Sequence, residues 1–549
     1  MLMRHFAGRC SRSIPVAATL AAGALWFLNP VSGALALEPD AGKASTARSS
    51  PENVVLRKET YIVEMEGQPA GTSVTTESRE GANIATRSEM KFSLRRGEVA
   101  INIQVQTEFI ETPDGKPISM KSRQVLASMP KEDIYTFGEK EVTIVTSSMG
   151  KPLTSTKPLP AGDWLTPAKA ARMARELAKK GQPTINFATI DPSNGLNVVQ
   201  MERTREKEEK VKVGDREFSA WKWKTAVVMP TGVRIESAEW VNEDGDLLRS
   251  TVNFGGISMN LVRAAEEDSN RTFKGPELMV NLFIKPDKPI SDPRHSKMMT
   301  YVLRVKDGEL PDLPNEAGQT FTRIDARSGT LTVNAVQSAA AKGVENAADV
   351  NVYLDSSSMI DARDERIAEL ANAAVKGVPV GQVAAKAEAL RRAVYRHITK
   401  KALDVGFGSA SETAQSGVGD CSEHGVLLAA MLRQQGIPAR VVAGLIYADH
   451  FAGERGIFGY HMWTQALIEK NGTKRWVDLD ATLPPGMPSD ATHIAVSTTA
   501  LADGEMQSSM MNLVPLLGRL QIEVQSAVAS PREKPAPKAA PKAEPVGAR

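Results

Sequence analysis

Between Asn53 and about Ala265, apolar and polar residues alternate in short runs such as ETYIVEME, EVAINIQVQTEF and EFSAWKWKTAVVM. Turns at Gly67-Gln68-Pro69, Pro113-Asp114-Gly115 and Asp244-Gly245 separate them. Alternation with period two between such breaks predicts antiparallel strands with one buried face. One helix interrupts the pattern, with Thr166 as N-cap, Pro167 at the first helical position and Gly181 at the stop. The expected unit, residues 53–265, is a twisted or half-barrelled sheet with a helix against one face. Such a sheet can hold an apolar ligand or an envelope partner, although a plain structural role is the simpler account. Trp221, Trp223 and Trp240 suit either reading.

Residues 266–350 read as a second, smaller strand module, with MMTYVLRV and GTLTVNAVQ as its best strands and MVNLFI as a further one. From Asn351 the period lengthens. Ile367 and Leu370 lead a helix that ends near Gly377 and Pro379, and Val383, Ala387, Leu390, Val394 and Ile398 mark the next. A last amphipathic helix is expected near Met511–Val524, with Pro515 in its first turn. The chain therefore predicts an α+β multidomain protein: β-rich modules first, an α+β domain over 351–525, and a Pro/Ala/Lys tail over 526–549 that cannot bury a core.

The chemistry concentrates between Gly417 and Thr482. Gly417 and Gly419 break structure before Cys421, and the run Val426–Leu432 is apolar on every side, which predicts a buried helix ended by Gly436 and Pro438. Cys421 then stands on the first turn, where backbone N–H groups and the helix dipole favour a thiolate. Two strands follow, Tyr460–Lys470 and Thr473–Thr482, joined by Asn471-Gly472, a strong two-residue hairpin signal. That turn pairs Lys470 with Thr473, so Trp463 faces Asp480 and His461 faces Thr482. All four lie on one face, with Asp480 the diagonal neighbour of His461. A shift of one residue in the turn would separate the pair. Asp478 shares the face as well. These positions predict Cys421 as nucleophile, His461 as proton carrier and Asp480 as the group that fixes the imidazole.

Charge adds a limit. The chain has 67 basic and 65 acidic residues, and without Arg4, Arg9 and Arg12 the formal net charge is 2 − 3 = −1. This gives no basic surplus for nucleic acid. Those arginines, the apolar stretch Ile14–Leu28 and Ala34-Leu35-Ala36 read as a signal peptide over 1–36, followed by a polar linker over 37–52. The apolar stretch is shorter than the roughly 20 residues of a membrane span. A periplasmic or secreted protein is expected, and with Cys10 in the leader Cys421 is left without a disulfide partner in its own chain.

The segment resembles the transglutaminase-like superfamily, papain-type cysteine acyl-transfer enzymes. The resemblance rests on Gly419-Asp420-Cys421, RQQGIPAR from Arg433 to Arg440, His461 with Trp463, and Trp476 before Asp480-Ala481-Thr482, where the family usually has Asp-Pro-Thr. Ser422, Glu423 and His424 match the bacterial branch. The resemblance covers roughly 351–485 and implies a Cys421–His461–Asp480 triad that forms a thioester with a peptide or amide carbonyl. The papain-type spacing offers Gln415 as an oxyanion donor, with the Cys421 N–H as the alternative. Trp463, Glu423 and His424 are expected to support the site, the last two by bonding nearby strands. Cys421 and His424 could also form half of a metal site, with His450 as a loose third candidate; no metal or other cofactor is expected. The loop Ala448–Gly459 reads as a lid. Water as acceptor gives a peptidase or amidase acting on protein or wall peptide, and an amine gives a cross-linking transferase. A binding scaffold with a silent triad is the reading from a different class.

Overall fold

The computed structural model describes residues 53–529 except 97–98, 127–128, 148–151, 231–233, 255–256, 278–281, 337–346, 402–407, 452, 471, 503–512 and 514. The expected signal peptide and linker, and the tail beyond residue 529, lie outside the described residues. No described helix is long and apolar enough to cross a membrane.

Strands β1 (Asn53–Met65) to β8 (Leu153–Pro158) and β9 (Thr184–Ile190) to β14 (Ile257–Ala264) form one antiparallel sheet of fourteen. Each half is a meander, and the halves meet where β1 pairs with β14. The alternation seen in the sequence is the burial pattern: Tyr61, Val63 and Met65 point inward and are fully covered. Helix α1 (Pro167–Lys179) connects the halves, and Gly181 has the left-handed φ of 72° that a stop position requires. Its cap comes from elsewhere in the fold. Glu111 accepts from the Ala168 N–H at 3.0 Å and from the Thr166 hydroxyl at 2.8 Å, so the Thr166 side chain does not itself cap the helix.

The second sheet corrects the expected domain order. Strands β15 (Ser296–Val305) and β17 (Ser328–Asn334) carry MMTYVLRV and the start of GTLTVNAVQ, and β16 (Gln319–Asp325), which the sequence reading did not assign, pairs with β17. Their fourth partner is the last described strand of the chain, which lies beside β15. Of the stretch expected as an amphipathic helix near Met511–Val524, the described residues are a turn at 513 and 515–519 and then a strand over Leu520–Ala529. Leu520, Ile522 and Val524 are buried between exposed Gln521, Glu523 and Gln525. This is period two, and a strand neighbour decided it. The expected boundary between 525 and 526 falls inside that strand. Of MVNLFI, only Leu282–Ile284 is described, as a 3₁₀ residue and a single bridge from Ile284 to Phe458.

In the third unit, helices α2 (Glu365–Ala374), α3 (Val383–His397), α4 (Ala410–Ser416) and α5 (Cys421–Gln434) pack on a sheet of order β20-β19-β18-β21. Here β18 is Ala439–Phe451, β19 Glu454–Lys470, β20 Thr473–Leu479 and β21 Ile494–Thr499, with the C-terminal strand completing the series as β22. Every residue of α5 from Cys421 to Arg433 is buried, as its all-round apolar pattern requires. Burying each Leu there stabilises by about 2 kcal/mol. The Ala448–Gly459 stretch is not a free loop. It continues β18 and β19 as a hairpin, with Phe451 paired to Glu454 and Phe458 buried. The chain at Leu282–Arg294 clamps this arm through Ile284–Phe458 backbone bonds of 3.0 and 2.8 Å and through the Ile290 N–H donating to Tyr447.

Candidate active site

Cys421 is the first residue of α5, and Asp420 is its N-cap. The Asp420 carboxylate accepts from the Ser422 N–H at 2.9 Å and from the Glu423 N–H. Glu423 returns the bond by accepting from the Asp420 N–H at 2.9 Å, which completes a capping box. The His424 N–H closes on the Asp420 carbonyl. Gly419 makes room for this: a Cβ there would lie 2.4 Å from that of Glu423. The cap holds the thiol on a first turn whose geometry is fixed from both sides.

Glu423 and His424 are buried as expected of supporting residues, but they do not bond strands. Glu423 accepts from the Gly408 N–H at 2.9 Å, tying the cap to the chain before α4. Its burial, and then the nearby Asp420, push its carboxyl well above the usual range. His424 Nδ1 bonds the Asp420 carbonyl, and its Nε2 is buried without a hydrogen-bond partner. Burial is the main reason its pKa falls to about 4, so His424 is neutral.

Helix α5 lies against β19 at the level of the histidine. The Gly425 carbonyl accepts from the Thr464 hydroxyl at 2.8 Å, and a Cβ on Gly425 would meet the Trp463 backbone at 3.7 Å. The hairpin has the register expected from its turn, from Lys470–Thr473 to Thr464–Leu479, with Gly472 at φ 75°. Asp480 follows directly. His461 Nε2 donates to its Oδ2 at 2.8 Å, while His461 Nδ1 is buried with no hydrogen-bond partner. Cys421, His461 and Asp480 are each about 1 % exposed. Asp478 does not compete for the histidine, because its Oδ1 accepts from Trp463 Nε1 at 2.7 Å and from Gln465 Nε2 at 2.8 Å. Trp463 stacks on the His461 ring with centroids 6.0 Å apart. Gln415 stands apart. It is exposed at the end of α4 and its Oε1 accepts from Arg366 at 2.7 Å, so its placement gives the oxyanion reading no support.

Two residues with no place in the sequence reading act on Asp480. Arg391 of α3 is buried and donates to the Asp480 carbonyl at 3.1 Å and to the Leu483 carbonyl at 2.8 Å, fixing the strand end. His493, just before β21, brings Nε2 to 3.2 Å from Asp480 Oδ2. A signal for it was present in the sequence. Asp490-Ala491-Thr492 repeats Asp480-Ala481-Thr482, and both triplets fold alike. In each, the Asp Oδ1 accepts from the Thr N–H at 2.8 Å and from the Thr hydroxyl at 2.7 Å (480) or 2.5 Å (490).

Asp480 thus accepts from two imidazoles and a threonine. Burial alone would raise its pKa, yet His461 and His493 hold it well below the usual range. His461, Asp480 and His493 each offer one atom within 4.8 Å of the others, a spacing that a metal could use. Here both imidazoles hydrogen-bond to one carboxylate oxygen, and His493 keeps its proton to about pH 10. Burial opposes that proton, but Asp490 and Asp480 outweigh it. In this arrangement the trio is joined by imidazole N–H groups that donate to the shared carboxylate oxygen. Cys421, His424 and His450 form no such group among the described residues.

Residues 369–481 match the family model of the transglutaminase-like superfamily. No curated protein matches the chain. Among solved structures, a β-barrel-like protein of a domain of unknown function from Brucella abortus is 13 % identical at TM-score 0.29, covering 38 % of this chain and 94 % of that one. A cysteine protease, so described provisionally, from Cytophaga hutchinsonii is 14 % identical at TM-score 0.25, covering 43 % and 86 %. A provisional protease from Parabacteroides distasonis is 9 % identical at TM-score 0.17, covering 65 % and 63 %. Scores of this size decide nothing about shape or activity. The family match places the likeness to the transglutaminase-like superfamily in residues 369–481.

Proposed function

We propose that this protein is an exported cysteine enzyme that forms a thioester at Cys421 with a peptide or amide carbonyl and releases it to water. The observation that carries the reading is the His461 ring. Its Nε2 is committed to Asp480 and its Nδ1 has no hydrogen-bond partner, on a strand packed against the helix whose first residue is Cys421. Nδ1 takes the thiol proton as sulfur attacks the carbonyl carbon. It then returns that proton to the departing amine as the tetrahedral intermediate collapses to the thioester. Water attacks the thioester next, giving one proton to Nδ1, and the thiolate leaves and recovers it. Asp480 holds the ring and balances its charge throughout. The Cys421 N–H is the proposed donor to the oxyanion.

Water is the proposed acceptor because, as solvent, it needs no binding site, whereas an amine does. The leader-like residues 1–36 support export, with a protein or wall peptide as substrate. The test is incubation with a denatured, dye-labelled protein, with and without a dansylated primary amine, followed by mass spectrometry. New peptide termini that depend on Cys421 are expected. Amine incorporated at glutamine with no new termini would instead make the protein a transferase.

A further inference from the structure

We propose that His493 is a positioning residue of this site: by donating from Nε2 to Asp480 it fixes that carboxylate against His461 and limits how strongly the carboxylate holds the His461 proton. The inference rests on the triad reading above and adds a fourth member to it.

The geometry is specific. His493 is buried, and its two ring nitrogens face two acidic residues: Nε2 lies 3.2 Å from Asp480 Oδ2, and Nδ1 lies 3.1 Å from the Asp490 carbonyl, 3.3 Å from the Asp490 backbone nitrogen and 3.5 Å from its Oδ1. Asp490 is itself anchored by Arg294 at 2.6 Å, and Arg294 also reaches the Thr492 hydroxyl and the Tyr447 carbonyl. The ring cannot turn freely. It stands edge-on to His461 with centroids 6.1 Å apart and to Trp463 at 5.3 Å. Tyr301 of β15 donates to the Ala491 carbonyl at 3.0 Å and seats the same turn from the second sheet. The charged and titratable groups around His493 are therefore Asp480 and Asp478 from the β20 side, His461 from β19, Asp490 from its own turn, Arg294 from the preceding segment and Tyr301 from β15.

Two consequences follow. Asp480 Oδ2 is shared, so its carboxylate plane is set by His493 and Thr482 before His461 is considered. A second cation on that oxygen also competes with a charged His461 for the same negative charge. Burial opposes the His493 charge, yet Asp490 and Asp480 keep it to about pH 10, so the competition persists across neutral pH. The arrangement trades some stabilisation of the imidazolium for a fixed orientation.

The test is the rate of Cys421 alkylation by iodoacetamide against pH, in the wild type, His493→Gln and His493→Phe, with melting temperature measured alongside. Gln retains a donor for Asp480 without the charge. Its labelling rate at pH 7 should stay within about tenfold of wild type, and the alkaline limb of the profile should move up by about one pH unit as the competing cation is lost. Phe keeps the ring but neither donor nor charge, so its rate should fall by roughly ten- to a hundredfold. A Phe variant with wild-type rate and limbs would overturn the inference. So would two variants that lower only the melting temperature. If the wild type itself labels only as a free thiol does, the triad reading fails, and this inference with it. That outcome is separable because it needs no variant.

Discussion

The large N-terminal sheet and the sheet of the candidate site both bury charge, and they finish it differently. In the large sheet, Glu59 is 1 % exposed and is met by Arg57 and Arg263, both at 2.5 Å, and by the Tyr61 hydroxyl at 3.1 Å. Arg203 reaches Glu239 at 2.6 Å and lies over Trp223, 5.1 Å from the ring centroid. Glu59 and Glu239 each close on a cation, and Trp221 and Trp223 are covered by Arg205 and Arg203. In the sheet of the candidate site the chain of bonds runs Arg294, Asp490, His493, Asp480, His461, and ends on a nitrogen with no hydrogen-bond partner. The pairs in the large sheet join carboxylate to guanidinium, whereas the chain of bonds in the second region ends on an imidazole nitrogen that can take up a proton.

Substitutions should separate the two kinds of burial. His461→Ala or Cys421→Ser should lower turnover by about a thousandfold or more without altering the fold, as measured by kinetics and circular dichroism. Asp480→Asn should cost roughly a hundred- to ten-thousandfold in kcat by freeing the imidazole. Glu59→Gln should do the reverse. It takes the charged partner from the half-buried Arg57 and Arg263, of which Arg57 keeps Asp246 at 2.8 Å, and should destabilise by about 2 kcal/mol, while the alkylation rate of Cys421 stays at the wild-type value. A fall in that rate would mean the two regions are not independent.

Stability against pH gives a finer comparison. His424 has a folded pKa depressed to about 4, so below the ordinary value of ~6.5 the unfolded chain takes up a proton that the native one refuses. It therefore erodes stability as pH falls from about 6.5 towards 4, by about 3 kcal/mol in all. His493 is raised to about 10, and its contribution has the opposite sign: present in full below ~6.5 and lost as pH rises from there towards about 10. Melting curves should show His424→Gln flattening the acid side and His493→Gln the alkaline side. The smallest effect belongs to the cap: Asp420→Ala should cost about 1–2 kcal/mol by equilibrium unfolding.

Local rules made much of the site legible. A two-residue turn fixes register, and register places His461 and Asp480 on one face, which the pairing from Lys470–Thr473 to Thr464–Leu479 reproduces. An all-apolar run after two glycines signals a buried helix with Cys421 at its start. What escaped was set by distant partners. The turn at Asp490 lies ten residues beyond Asp480 in the chain, and its signal was a repeated triplet rather than a spacing. The Leu520–Ala529 strand alternates visibly, but its partner β15 lies more than 200 residues earlier in the chain. Gln415 fitted a spacing, yet α4 ends with that side chain on its exposed face, beside Arg366. The supposed lid is strand on both sides of a turn at Gly453 in its described part, and the clamp that holds it comes from Leu282–Arg294.

The proposed function stands on Cys421 and His461 working as a pair. Iodoacetamide labelling of the protein and of His461→Ala across pH is the test. Cys421 should label well below the ~8.5 of an ordinary thiol, and this low-pH reactivity should disappear in His461→Ala. Labelling only above pH ~8, unchanged by the substitution, would contradict it.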